Sequence, residues 1–98
     1  MEGIISRAKN VEIAEVPERL SDSSIAARWV DIQAKLSNTN NIFIGDSTVS
    51  NSSGIVLSPG ATITMGNLQR WFVLDLSQIW INAAVNGEGV TFNYWPSP

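Results

Sequence analysis

Apolar and polar residues alternate with a period of two along much of this chain. Short apolar runs are separated by glycine, proline, asparagine and serine. A strand places successive side chains on opposite faces, so this pattern reads as half-buried β-structure. The clearest case is Ala26 to Leu36. Arg28, Val30, Ile32, Ala34 and Leu36 share one face, and Ala27, Trp29, Asp31, Gln33 and Lys35 share the other. Ala, Gln, Lys and Leu also suit a helix, but the clean alternation from Val30 onward favours a strand. Further strands are predicted at Ile42-Phe43-Ile44, Ile55-Val56-Leu57, Ala61 to Met65, Trp71 to Leu74, Ile79-Trp80-Ile81 and Val90 to Trp95. A weaker alternation runs from Val11 to Val16 and stops at Pro17. Glu18 to Ser24 is polar and turn-like, with Leu20 as an inward anchor.

The punctuation has its own chemistry. Ser37 to Asn41 is a turn cluster. Ser58-Pro59-Gly60 carries a type II signature, with proline at the second position and glycine at the third. Asn86-Gly87 predicts a type I′ hairpin, and Gly89 a bulge. Turns recur about every 8–12 residues, as in small all-β folds. The fold class predicted is all-β: a small antiparallel β-sandwich or barrel, jelly-roll-like, over residues 11–98, preceded by an N-terminal arm at 1–10.

Composition narrows the function. The chain has 98 residues, no histidine and no cysteine. Imidazole bases, thiolate nucleophiles and the usual zinc sites are therefore excluded, and no catalytic residue, metal or cofactor is expected. Only 15% of residues are charged, against about 25% in a typical globular protein. Part of the surface is therefore expected to be covered by neighbours. The net charge of −3 and the scattered positions of Arg7, Lys9, Arg19, Arg28, Lys35 and Arg70 argue against nucleic acid. No apolar run approaches the roughly 20 residues that span a bilayer, so no membrane partner is expected. No secretory leader is read at the start, and synthesis in the cytoplasm is the expectation.

Gly45-Asp46-Ser47 has the letters of an esterase element, but that chemistry needs a histidine base, and a polar turn is the better reading. Asn51-Ser52-Ser53 matches a glycosylation acceptor and reads as a loop. The nine carboxylates show no ligand spacing. The aromatic residues are more informative. Trp29 lies on the polar face of its strand, Trp80 opposes Ile79 and Ile81, and Trp95 opposes Phe92 and Tyr94. Large aromatic side chains out of phase with one core are either core to a second sheet layer or candidate partner contacts. The interface candidates are Trp29, Arg70, Trp71, Phe72, Trp80 and Trp95.

From Trp29 to Trp95 the chain resembles a family of small phage proteins encoded among virion structural genes. The elements that carry the resemblance are Val30 to Lys35, Asn38 to Gly45 followed by Asp46 to Val49, Gly54 to Gly60, Leu76 to Trp80, and Val85 to Val90. The resemblance implies an all-β virion protein on the capsid exterior, made in the host cytoplasm. Its implied role is decoration or cement, bound to the major capsid protein as a homo-oligomer, with a trimer ahead of a dimer. Gly66 to Leu74 is longer and more aromatic than the pattern, which makes it a candidate for a contact specific to this chain. The alternative is a tail or fibre module that recognises host surface glycans through its aromatics.

Overall fold

The computed structural model describes residues 3–66 and 73–97. Its strands are β1 (Ile5–Asn10), β2 (Glu18–Arg19), β3 (Ala26–Ala34), β4 (Ile42–Gly45), β5 (Ile55–Leu57), β6 (Thr62–Gly66), β7 (Leu74–Asp75), β8 (Trp80–Ala83) and β9 (Gly89–Pro96). They form two antiparallel sheets packed as a β-sandwich. One is five-stranded in the order β1-β9-β3-β6, with β7 also pairing with β3; the other is four-stranded in the order β2-β8-β4-β5.

The core lies between the sheets and follows the alternation. Val30, Ile32 and Ala34 of β3 and Val90, Phe92 and Tyr94 of β9 point inward from the larger sheet. Ile42 and Ile44 of β4, Leu57 of β5, and Ile81 and Ala83 of β8 meet them from the smaller sheet. Each fully buried branched aliphatic side chain contributes about 1.5–3 kcal/mol. The predicted strands at 26–36, 42–44, 55–57, 61–65, 79–81 and 90–95 are therefore present, with shifted ends. Leu20 is buried as expected. Ser58-Pro59-Gly60 closes its turn with a hydrogen bond from the Ala61 N–H to the Ser58 carbonyl and a Gly60 φ of 86°, as a type II turn requires.

Several expectations are corrected. Residues 5–10 of the expected arm form β1, a sheet edge paired with β9 from Ile5↔Tyr94 to Asn10↔Gly89. An edge strand needs only backbone pairing, so its mostly exposed side chains leave little hydrophobic pattern. Val11 to Val16 is no strand. Val11 is fully buried, and the chain then turns, with Glu15 at a φ of 68°. Glu18–Arg19, expected as turn, is instead the short edge strand β2. Leu36 does not face the core: β3 ends at Ala34, and Leu36 is 81% exposed.

The phase of β3 also changes at Arg28. A bulge shifts the pairing with β9 between Ala27 and Trp29, so Ala27 and Val30 both face inward and Arg28 leaves the core face. Asn86-Gly87 is not a hairpin. It links β8 of one sheet to β9 of the other, and only Gly87 of the pair has positive φ, at 84°. A type I′ turn needs it at both positions. Gly89 pairs in register with Asn10 and is no bulge. Of the predicted strand at 71–74, only Val73 and Leu74 fall among the described residues. After Asp75 the chain makes one 3₁₀ turn, Leu76–Gln78.

Candidate functional site

The sandwich has two outer faces, and they differ. On the four-stranded sheet, Phe43 and Asn82 point outward, opposite each other across β4 and β8. The loop from Asp46 to Gly54 folds over them. Val49 in that loop is 1% exposed, Phe43 9% and Asn82 3%. Asn82 holds the loop down: its Nδ2 donates to the Val49 carbonyl at 2.9 Å, while its Oδ1 accepts from the Ala83 N–H at 2.8 Å. At the loop's start, Asp46 Oδ1 accepts from both the Thr48 N–H and Oγ1. Those bonds hold its carboxyl below the usual carboxylate range. A cavity of about 180 Å³ remains beside the loop, lined by Glu15, Phe43, Ser50, Asn51, Asn82, Ala83 and Ala84.

On the five-stranded sheet, the outer face has no such cover among the described residues. The registers set its residues in rows across the strands. Trp95 of β9 lies directly across from Trp29 of β3, which pairs on its other side with Gly66 of β6. The next row is Ser6, Asn93, Asp31 and Thr64, and the one after is Ala8, Thr91, Gln33 and Thr62. Ser6 Oγ donates to Asn93 Oδ1 at 2.5 Å, and Thr64 Oγ1 to Asp31 Oδ1 at 2.6 Å. Both tryptophans are partly exposed, and neither belongs to the core. Ile4, 54% exposed, stands one residue before the Ile5↔Tyr94 pair, at the β1 end of the tryptophan row. Close to that row, Arg28 Nε in the bulge is buried and has no hydrogen-bond partner among the described residues.

The candidates therefore separate. Trp29 and Trp95, far apart in sequence, are brought side by side. Trp80 is elsewhere, on the outer side of the four-stranded sheet, with the Arg19 guanidinium 5.1 Å from its ring centre. That stacked cation covers part of the indole. Arg70, Trp71 and Phe72 lie outside the described residues. Ile4 was not singled out from sequence, because a lone isoleucine near the start of an expected arm carries no periodic signal.

Fixed carboxylates stabilise the body around this face. Asp75 accepts from Ser24 Oγ, from Ser77 Oγ and N–H, and from the Ile25 N–H. These bonds pull its pKa down to about 2. Glu88 accepts from the Thr39 N–H and Oγ1 and the Asn40 N–H, and the Thr39 N–H above all lowers its pKa. Among the described residues, no group of three Asp or Glu side chains gathers where it could hold a metal ion. No protein-family model, curated protein or solved structure matches the chain.

Proposed function

We propose that this chain is a phage virion structural protein that works by contact: a capsid decoration or cement protein bound to the major capsid protein on the outside of the shell. The observation that supports this reading is the tryptophan pair. Trp29 and Trp95 stand in register on a sheet face that carries no covering loop among the described residues. Indoles placed outside a core, on a rigid strand pair, are the residue type that dominates protein contacts once desolvated. Their sheet is held in register on both sides, so little ordering cost attends docking. Repetition over a symmetric shell multiplies a weak single contact. The test is to add purified protein to shells stripped of accessory proteins. Raised shell melting temperature supports the reading. An unchanged temperature at saturating protein counts against it.

One observation favours a second reading, a tail or fibre module for host surface glycans. Beside the tryptophans lie rows of short hydrogen-bonding side chains, Asn93, Asp31 and Thr64, then Thr91, Gln33 and Thr62. Sugar rings stack their C–H faces on indoles and hydrogen-bond through their hydroxyls to groups of this kind. Titrating the protein with host polysaccharide, read by tryptophan fluorescence, separates the two readings. Saturable binding without any effect on shells would favour the module.

A further inference from the structure

The two flanks of the sandwich are built from opposite materials. On one flank the edge strands are β1 and β2, and charge closes it. Lys9 of β1 bridges to Glu18 of β2 at 3.0 Å, tying one sheet to the other. Arg7, Glu12, Glu15 and Arg19 lie on the same stretch of chain. Burial raises the Glu18 pKa, but the hydrogen bonds from Lys9 and from the Glu12 and Ile13 N–H groups outweigh it and leave the pKa lowered.

On the opposite flank the edges are β5 of the smaller sheet and β6 of the larger, joined by the Ser58–Gly60 turn; beyond the Trp29↔Gly66 pair the β3 edge is taken by β7, whose Asp75 is bonded to Ser24 and Ser77. Between Asp46 and Arg70 the sequence holds no charged residue at all. Neither edge therefore carries the lysine or inward charge that ordinarily blocks edge-to-edge pairing. Ile55 and Val56 on β5 are 45% and 51% exposed. Leu36, the most exposed large apolar side chain at 81%, lies over Gly60 in the connecting turn. The neighbouring Lys35 is drawn away from this flank, because its Nζ donates to Asn10 Oδ1 at 2.7 Å. The flank is also rigid: Gly60 N–H bonds Ala34, Ala34 N–H bonds Ala61, and Gln33 Nε2 bonds the Gly60 carbonyl.

We propose that a second copy of this chain docks on the β5–β6 flank, its β5 antiparallel to the first, as a two-fold dimer. The charge distribution selects that occupant. Two copies of a chain with net charge −3 repel wherever their charged surfaces meet. A two-fold contact sets each patch against itself, and like charges directly opposite are unfavourable. The β5 edge, which carries no charged residue, is where identical chains meet without that repulsion, and there the outer β5 backbone and the apolar Ile55, Val56 and Leu36 gain a partner. Of the other exposed apolar residues, Ile13 and Val16 sit among Glu12, Glu15 and Glu18.

The test is sedimentation equilibrium of the full chain alone, with no shell present, so it stands apart from the shell-binding reading. The expected mass at high concentration is twice the 10.7 kDa of one chain. Val56→Lys and, independently, Ile55→Lys reduce it to that of one chain with unchanged far-ultraviolet circular dichroism. Ile13→Lys, equally a lysine at an exposed apolar site, leaves the dimer intact. Amide exchange gives a reading without substitution, with β5 amides protected at high concentration and released on dilution. A wild-type mass of one or three chains overturns the proposal. So does a dimer that survives both β5 substitutions.

Discussion

The two sheets present the same kind of outer surface to different fates. On the four-stranded sheet, Phe43 and Asn82 are roofed by the 46–54 loop, with Val49 inserted and Asn82 bonded to its carbonyl. On the five-stranded sheet, Trp29 and Trp95 are larger than Phe43 yet stay partly exposed. The difference lies in which face the described residues cover. Size and apolarity alone do not decide it. On the four-stranded sheet a loop covers the face, and the Asn82 amide beneath it is bonded through both Nδ2 and Oδ1. On the five-stranded sheet the two indoles stay partly exposed on paired strands, and the proposed contact would bury what remains of them.

Removing the roofed side chain tests this contrast most severely. Phe43→Ala is expected to cost about 3–5 kcal/mol in urea unfolding, because the ring is lost and the loop cannot collapse fully into its place. Asn82→Ala comes next, at about 1–3 kcal/mol, since it leaves the Val49 carbonyl and the Ala83 N–H without their partner in a buried place. On the partly exposed face, Trp29→Ala and Trp95→Ala are each expected to cost only about 1 kcal/mol in the same assay. If either tryptophan proved as costly as Phe43, the two faces would not differ in the way described.

Acid sharpens the same comparison with a smaller effect. Asp75 braces the five-stranded sheet at β7, and Asp46 braces the roof. Both carboxyls ionise more readily in the fold than in the unfolded chain. Each therefore favours folding above its unfolded value and loses that contribution as pH falls through its folded value. For Asp75 the window runs from 3.8 down to about 2. Thermal melting across that range is expected to show a falling melting temperature, and Asp75→Asn flattens the slope more than Asp46→Asn.

Much of the body was legible in the sequence because core strands alternate. Val30, Ile32 and Ala34 in β3, and Val90, Phe92 and Tyr94 in β9, are buried as that alternation requires. Features resting on backbone pairing or polar bonds were hidden. β1 is an edge with little apolar content, and the roof loop contains a single buried aliphatic, Val49, among mostly serines and other polar residues. The bulge at Arg28 moved the phase within one strand without a glycine to mark it. Trp29, Trp80 and Trp95 were each legible as out of phase with a core. Their grouping was not, because it depends on which strands become neighbours and in what register. That ordering pairs Trp29 with Trp95 and sends Trp80 to the other sheet under Arg19.

The central proposal is that the tryptophan face is the surface of contact. Its most direct test is co-sedimentation with shells stripped of accessory proteins, comparing the wild type with the Trp29→Ala/Trp95→Ala double variant, after circular dichroism confirms that both are folded. The account predicts that the wild type pellets with the shells and the double variant stays in the supernatant. A folded double variant that pellets as fully as the wild type would contradict it.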